Sequence, residues 1–485
     1  MKKRALVSLF LALVLLAGCA PAAEPPAAPT SPPPTASPTP EPTPIPEPVD
    51  FREFLDGVNA QRKAVTGQSE LLDISAYTPD FSEQNHTFTE EEMALLTTQH
   101  DPKTNLTKED LISDVDTFFT LLQTTYGAYH YFGGDDTFFP IRDAVKDELA
   151  AMDSPTVRDL DDVLYQHLSP VLVDGHFSLG SHAMRDVHAQ FMYYVPGVYL
   201  DSLDGVENPD WLKPTIGPDG RICYWYAAMS HDGSDLPSTL DGRALSWTRA
   251  YWLSRDNIAP AFGESEWEGI PILTSRRMHD GGILGGTARP SDQDALARFS
   301  SCGGEYADSP LLIFDVRGNS GGMDDYIMGW FQGWAGINAE PRRSFSHRYS
   351  QISCLQIKNY PTESMGAYSH YSSPGVWVER SGPTFVLQDK GVASSGETAV
   401  KFFRMAADTL FVGGPTLGCA LTPNNIELYL PHSGLKCYFG TGLSFCETSE
   451  NRDGVGYLPD LWVEPTSALD AVKRLIEYYG LNTEQ

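Results

Sequence analysis

A helical pattern with one apolar face lies between residues 106 and 185. A capping-box-like start at Thr107-Lys108-Glu109-Asp110 opens a helix, and apolar residues then recur at the spacing of one helical face. More helical pattern follows over residues 138–168. Together these segments predict a small helical N-terminal domain over residues 106–185. The apolar face of its first helix is formed by Leu111, Val115, Phe118, Phe119 and Leu122.

The segments on either side of this domain give weaker patterns. Residues 51–105 are mostly polar, and we expect an irregular lead-in there. Residues 186–300 contain aromatic runs at 191–195 and 222–226, which are typical of strands between turns. We therefore predict a β-rich intermediate region. A glycine-rich stretch at 281–286 lacks the Gly-Lys-Ser/Thr ending of a phosphate loop, so we interpret it as an ordinary loop.

The pattern changes to alternating strands and helices in the last third of the chain. A helix is predicted from about residue 397 to 407, and an amphipathic helix beginning near Ala468 closes the chain. This alternation predicts an α/β core over residues 301–485. Three short, largely apolar runs have the character of strands buried on both faces: 311–316, 385–387 and 410–412.

The first nineteen residues have the pattern of an export signal. Three basic residues precede an apolar run over residues 5–16, which is shorter than the roughly 20 residues of a membrane span. The run ends in Leu16-Ala17-Gly18-Cys19, which resembles a bacterial lipobox, where cleavage leaves the cysteine as an acylated N-terminus. We predict a lipoprotein signal peptide at 1–18 and lipidation of Cys19, with an ordinary signal peptide as the alternative.

The segment that follows Cys19 has a composition that cannot form a core. Residues 21–48 contain 13 of the 36 prolines, mixed with Ala, Thr, Ser and Glu. Such a segment favours solvated polyproline II, and we expect residues 19–50 to act as a tether. Together with the lipobox, it predicts an exported lipoprotein, held at the outer face of the plasma membrane or within the cell envelope.

The charge of the chain restricts the class of partner. With 34 basic and 64 acidic residues, the formal net charge is −30. A surface of this sign repels phosphate backbones, so we expect no nucleic-acid partner. The histidine and cysteine spacings match no metal motif, and we predict neither a metal nor a cofactor. The oligomeric state is not determined by the sequence.

Six cysteines follow the tether, and in an exported protein they could be oxidised. Cys437 and Cys446 could face each other across a hairpin that turns at residues 440–442. Spacing alone does not determine pairing, so the disulfide pattern stays open.

Three short segments carry candidate chemistry. Residues 315–322 form a glycine-rich turn after a predicted buried strand, where backbone N–H groups can face a ligand. Residues 391–397 place a serine at a helix start, near the positive end of the helix dipole. Residues 173–178 contain His176 in an Asp-Gly-His run. Taken singly, each also fits a structural role, as a tight turn, a helix cap or a structural histidine.

Taken together, these segments resemble the tail-specific, or C-terminal-processing, serine peptidase family. Residues 315–322 are similar to its Asp-x-Arg-x-Asn-x-Gly-Gly signature. Residues 393–397 are similar to its nucleophile segment, in which the serine three residues before the glutamate is Ser394. Two further blocks, at 412–418 and 454–460, follow in the right order. The resemblance implies a crotonase-like (ClpP-like) β/α catalytic core, a helical N-terminal domain, and peptide or protein substrates.

The resemblance also implies which residues act, with one departure. In the serine–lysine branch the general base stands where this chain has Cys419. The tricorn-core-like branch instead uses a histidine from an earlier domain and a glutamate near the C-terminal block, which correspond to His176 and Glu450. We therefore expect Ser394 as nucleophile, His176 as base and Glu450 as the orienting carboxylate. The tricorn-type serine before the histidine is replaced here by Gly175.

The oxyanion hole implied by the resemblance consists of backbone N–H groups, from Ser395 and from Gly321 or Gly322. No clear peptide-binding PDZ domain is recognisable in residues 186–300.

The sequence thus predicts an exported, lipid-anchored serine endopeptidase that hydrolyses peptide bonds through an acyl-enzyme on Ser394. The alternative is a catalytically inactive relative that binds peptides or another ligand at the cell envelope. Cys419 and Gly175 favour that alternative, whereas the presence of Ser394, His176 and Glu450 favours the enzyme.

Overall fold

The computed structural model describes residues 49–68, 72–81, 87–255, 257–282, 287–357 and 360–482. The predicted signal peptide, the predicted lipidation site Cys19 and nearly all of the predicted tether lie outside these residues. So do the last four residues of the glycine-rich stretch, 283–286. Within the described ranges, no helix combines the length and the apolar character needed to cross a bilayer.

The α-helices of the described chain are numbered in chain order. They are α1 (Phe51–Lys63), α2 (Glu90–Leu96), α3 (Lys108–Thr125), α4 (Asp135–Ala151), α5 (Val157–Leu168), α6 (Arg185–His188), α7 (Pro290–Ser301), α8 (Asp324–Ala335), α9 (Gln351–Gln356), α10 (Ser395–Phe403) and α11 (Ala468–Tyr479).

The strands are numbered in the same way. They are β1 (Ser178–Leu179), β2 (His182–Ala183), β3 (Phe191–Leu200), β4 (Leu212–Ile216), β5 (Ile222–Ser230), β6 (Thr239–Leu240), β7 (Arg243–Ala244), β8 (Thr248–Arg249), β9 (Phe262–Trp267), β10 (Ile270–Ser275), β11 (Leu312–Asp315), β12 (Arg343–Tyr349), β13 (Ala367–Ser373), β14 (Thr384–Gln388), β15 (Thr409–Gly413), β16 (Asn425–Tyr429), β17 (Lys436–Gly440), β18 (Gly442–Cys446) and β19 (Leu461–Trp462).

A six-stranded sheet with the order β19-β15-β14-β11-β10-β9 forms the centre of the C-terminal part. Its strands pair in parallel, except that β9 is antiparallel to β10. Because successive side chains point to opposite faces, Phe314 packs with α8 and α10 while Ile313 packs with α1 and α11. Both faces of the sheet are therefore covered by helices, as expected for parallel strands. The α/β prediction is confirmed, and the crotonase-like description stays a prediction.

The topology of this sheet determines where a site can form. Strands β11 and β14 are neighbours and parallel, so the loops that follow them leave the same edge. These loops hold the glycine-rich turn, which ends at Gly322, and the segment that ends at Ser394. Two of the three candidate segments are thus brought together by strand order alone.

The helical N-terminal part packs around α3, α4 and α5. The capping box at Thr107 is present, with Asp110 accepting the Thr107 backbone N–H at 2.9 Å. The five apolar residues predicted for one face of this helix are all buried. The chain then leaves α5 through residues 173–177, and β1 pairs with β17 of the C-terminal part. This pairing holds the loop that carries His176 against the α/β core.

Two stretches differ from the sequence-based expectation. Residues 51–105, expected to be irregular, contain the helices α1 and α2. Phe51 and Leu55 of α1 lie one turn apart and are buried against the sheet. Tertiary packing therefore stabilises a short helix that its mostly polar sequence does not predict. Strands β9 and β10, from the expected intermediate region, belong to the central sheet.

The suggested hairpin between Cys437 and Cys446 does not form. Cys437 lies on β17, which pairs with β1 and β16, whereas Cys446 lies on β18, which pairs with β12. The chain changes sheets at residue 441, so the two cysteines do not oppose each other. The six cysteines in the described ranges are all buried and free.

Candidate active site

Ser394 occupies an unusual backbone conformation at the start of α10. Its φ is +50° and its ψ is −121°, a region that residues with a Cβ rarely adopt. The Ser394 N–H donates to the Cys419 carbonyl oxygen at 3.2 Å, and its own carbonyl accepts the Thr398 N–H at 3.0 Å. The side chain makes no capping hydrogen bond to the helix. Its hydroxyl is therefore not committed to the ordinary role of an N-cap serine.

The glycine-rich turn packs directly on Ser394. A Cβ on Gly321, whose φ is +110°, would lie 2.8 Å from the Cβ of Ser394, so only glycine allows this approach. The Gly321 N–H donates to Asn319 Oδ1 at 2.9 Å. Within the described residues, no hydrogen bond uses the N–H of Gly322 or of Ser395. Of the N–H groups predicted to form the oxyanion hole, these two are available and that of Gly321 is not.

The His176 loop is held by two buried carboxylates, neither of which touches the imidazole. Asp174 accepts the His176 backbone N–H at 2.9 Å and the Tyr126 hydroxyl at 2.6 Å. Asp453 accepts the Gly175 N–H at 2.8 Å. Burial raises the pKa of both carboxylates, that of Asp453 to about 7, with the charge of Asp174 as its second cause. The pair fixes the histidine through its backbone.

Gly175 has a steric explanation. A Cβ at this position would lie 2.6 Å from the Gly418 carbonyl oxygen and 2.7 Å from the Cα of Cys419. Contacts this short are not tolerated, so a serine does not fit here without a shift of the neighbouring turn. The loss of that serine therefore follows from the close packing of the histidine loop on residues 418–419.

The imidazole of His176 is half-buried and neutral at neutral pH. Burial lowers its pKa to about 4, and the charges of Lys401 and Arg185 contribute in the same direction. Its Nδ1 is buried and has no hydrogen-bond partner among the described residues. A neutral imidazole can accept a proton, which is the property that a general base needs.

Glu450 does not share the surroundings of Ser394 and His176. Its side chain is exposed, and its backbone N–H donates to Thr448 Oγ1 at 3.4 Å. It lines a small separate cavity of about 20 Å³ together with Lys401. The acidic residue of this segment that does contact the histidine loop is Asp453, three residues later, which the sequence pattern did not single out.

Two further buried side chains, those of Lys390 and Glu397, hold the turn that carries Cys419. Lys390 Nζ donates to the carbonyl oxygens of Thr416, Leu417 and Gly454 at 3.1, 3.0 and 2.8 Å. Burial lowers the pKa of Lys390 to about 8, but three donated hydrogen bonds occupy its ammonium, so it does not replace the missing base.

Glu397 accepts the N–H groups of Gly418 and Cys419 at 2.9 and 2.7 Å. Burial raises the pKa of the Cys419 thiol well above its usual range, so Cys419 is neutral. Its carbonyl oxygen, which accepts the Ser394 N–H, contributes to the site through the backbone alone.

Two cavities meet at Ser394 and His176. The first has a volume of about 490 Å³, and the second, about 700 Å³. Both are also lined by Gly322 and Cys419, so the cleft extends to two sides of the serine. Among the residues that the structure describes, no cluster of His, Cys, Asp and Glu is suited to hold a metal ion.

Comparison with known proteins gives a family match. Residues 289–460 match the model of peptidase family S41. No curated protein matches the chain. Among solved structures, mature CPAF is 12% identical with a TM-score of 0.42, and the match covers 78% of this chain and 98% of that one.

Two other solved structures are similar to a comparable extent. A lipoprotein from Streptococcus agalactiae is 12% identical with a TM-score of 0.37, covering 78% of this chain and 99% of that one. The photosystem II D1 C-terminal processing protease is 13% identical with a TM-score of 0.35, covering 76% and 96%.

The match over residues 289–460 includes the glycine-rich turn, Ser394 and Asp453. It confirms the family that the four sequence blocks predicted. Over residues 289–460 the chain therefore matches peptidase family S41, and this match agrees with the resemblance to the tail-specific or C-terminal-processing serine-type peptidases.

Proposed function

We propose that the protein is an endopeptidase in which Ser394 forms an acyl-enzyme and His176 acts as the general base. The observation that carries this proposal is the meeting of an uncapped serine and a neutral histidine in one cleft. The strained backbone of Ser394 is the kind of feature that is retained at functional sites.

The chemistry follows from these positions. Ser394 Oγ attacks the carbonyl carbon of a peptide bond as its proton passes to the imidazole of His176. The oxyanion that forms accepts hydrogen bonds from the N–H groups of Gly322 and Ser395. His176 then gives its proton to the leaving amine, and a water molecule hydrolyses the acyl-enzyme by the same steps. Each oxyanion donor typically contributes about 10²–10³ in rate.

Glu450 remains the proposed orienting carboxylate. It has no contact with His176 in this structure, so that role requires its exposed side chain to turn toward the buried Nδ1. Asp174 and Asp453 position the loop without such a movement, because they bind its backbone.

The site of action is proposed from the N-terminal sequence. The lipobox-like Leu16-Ala17-Gly18-Cys19 and the proline-rich residues 21–48 support an exported protein that is anchored by lipid on Cys19. Its substrates would then be peptides or proteins at the cell envelope. A Cys19→Ala variant is expected to move from the membrane fraction to the soluble fraction, and an unchanged distribution would contradict lipid anchoring.

The second candidate is an inactive relative that binds peptides in the same cleft. Two observations favour it: Cys419 stands in place of a lysine base, and Nδ1 of His176 lacks a partner among the described residues.

Labelling with a fluorophosphonate separates the two candidates. The purified full-length chain should be labelled on Ser394, as located by mass spectrometry. Ser394→Ala and His176→Ala should lose the label, while Ser301→Ala, an exposed serine on α7, should keep it. A folded wild-type chain that takes no label would favour the binding protein.

A further inference from the structure

The 490 Å³ cavity contains an ammonium group that the proposed mechanism does not use. Ser394, Thr398 and Lys401 all line this cavity, and their i, i+4, i+7 spacing places them on one face of α10. Seven residues of helix correspond to about 10 Å. Helical side chains lean toward the N-terminus, so the four-carbon stem of Lys401 carries its charge back toward Ser394.

Two groups that line the same cavity as Lys401, His176 and Cys446, are affected by its charge. It contributes, after burial, to the lowered pKa of His176. It also lowers the pKa of Cys446, although burial is the larger effect and raises that pKa overall. The ammonium group thus belongs to the cavity that the proposed base and a neutral thiol also line.

Lys401 has no internal counter-ion. Within the described ranges, no carboxylate lies within ion-pairing distance, 4.0 Å, of its Nζ. The cavity also contains Asp324 and Asp325, but both are exposed at the start of α8 and neither pairs with it. The other cation of this cavity, Arg343, already pairs with Glu340 at 3.5 Å.

The second cavity has a different character. Phe191 and Trp252 line it, with their rings stacked 5.9 Å apart. The guanidinium of Arg249 lies 3.5 Å from the Phe191 ring centroid. The ammonium of Lys390, which also lines this cavity, donates hydrogen bonds to three backbone carbonyl oxygens. Arg185 also lines this cavity and pairs with Asp186 at 3.8 Å. This side of the cleft therefore presents aromatic surface and cations that already have partners, whereas Lys401 belongs to the other side.

We propose that the 490 Å³ cavity is a subsite for a carboxylate of the substrate, and that Lys401 is the residue that selects it. The carboxylate comes from an acidic side chain beside the scissile bond or from the C-terminus of a short substrate. This inference rests on the proposed function, since Ser394 defines the scissile position. The negative carboxylate of the substrate would pair with the positive ammonium of Lys401, which has no carboxylate partner within the described part of the chain.

Matched peptides test the selection. The full-length chain is given quenched fluorescent peptides that differ only in Glu or Gln beside the scissile bond, each with a free or an amidated C-terminus. We expect kcat/KM to be about tenfold or more higher for the carboxylate. Lys401→Met should bring this ratio close to one and Lys401→Arg should keep it. Lys401→Glu should favour a Lys peptide, and Lys473→Met, outside the cleft, should match wild type.

The two terminal forms identify the source of the carboxylate. If the preference for Glu persists with amidated peptides, the subsite binds the carboxylate of a side chain. If peptides with a free C-terminus are preferred whether they contain Glu or Gln, the subsite binds the C-terminal carboxylate. A ratio near one in wild type, or a ratio that Lys401→Met leaves unchanged, overturns the subsite and leaves the proposed peptidase activity standing.

Binding to Ser394→Ala keeps the two proposals separate. The same peptides, labelled with a fluorophore, are titrated by anisotropy against Ser394→Ala and against Ser394→Ala with Lys401→Met. Carboxylate-preferring binding that requires Lys401, without hydrolysis by wild type, upholds the subsite and overturns the peptidase proposal. Absence of both hydrolysis and carboxylate-preferring binding overturns both.

Discussion

At the scale of single residues, the site depends on positions where a side chain is absent as much as on those where one is present. Gly321 lies so close to Ser394 that any Cβ on it would meet the Ser394 side chain, and Gly175 lies equally close to the turn at Cys419. The strained Ser394 is thus enclosed by backbone rather than by side chains. Small substitutions at these glycines should therefore disturb Ser394, the proposed nucleophile.

Gly321→Ala is expected to slow fluorophosphonate labelling of Ser394 roughly 100-fold, because displacing a reacting group by about 1 Å costs that much. The positive φ of Gly321 adds a loss of stability of about 1–3 kcal/mol. Labelling rate and thermal unfolding are measured together. The control is Gly57→Ala on α1, where a Cβ has open space; equal effects of the two variants would contradict the proximity of Gly321 to the nucleophile.

Lys401→Met should also change the proton affinity of His176. Removing a positive neighbour favours the imidazolium, so the pKa of His176 should rise from about 4, while burial keeps it below the ordinary value of 6.5. As the pH is lowered, the labelling rate of the variant should then begin to fall at a higher pH than the labelling rate of wild type. An acidic limb that does not move would show that the ammonium lies too far from the base to influence it.

At the scale of elements, the site forms where three loops meet. The loops after β11 and β14 are adjacent because those strands are parallel neighbours, and the pairing of β1 with β17 brings the histidine loop to them. Buried charged groups then fix the loops to one another. Asp453 is the centre of this arrangement, because it accepts N–H groups from Gly175, Ala420 and Leu421.

Asp453→Asn should therefore slow labelling of Ser394 about tenfold or more. The amide retains one acceptor oxygen, but its NH₂ group must face an N–H donor, and a buried donor left unpaired costs about 1–3 kcal/mol. Asp470→Asn, an exposed acid on α11, is the matched control. The labelling rate of Asp453→Asn is compared with the fraction of the variant that is folded. If the rate falls only as much as the folded fraction does, the aspartate does not position His176.

The strands of the core were predictable because burial on both faces leaves short apolar runs, such as residues 312–314 of β11 and 385–387 of β14. The serine and histidine candidates came from local motifs, and both line the same two cavities. The role of Asp453 was not, since its partners lie more than 30 residues away in sequence. A helix such as α1 was also missed, because a core formed by distant residues stabilises it.

At the scale of the whole molecule, stability comes from packed cores without covalent cross-links in the described chain. The α/β core and the helical N-terminal part each contain a large apolar cluster. Burial raises the pKa of every described thiol, to about 12 for Cys223 and about 11 for Cys302. Thiols that are buried and protonated react slowly, even in an oxidising compartment.

The melting temperature of the protein should consequently be the same with and without dithiothreitol. A structural disulfide typically contributes about 2–5 kcal/mol, which in a domain of this size corresponds to a shift of several degrees. A thiol reagent such as Ellman's should react slowly with the native chain and fully after unfolding in guanidinium. A melting temperature that falls on reduction would show that at least two of the buried cysteines pair in the purified protein. The backbone around Cys419 or Cys446 would then differ from the geometry on which the carboxylate subsite depends.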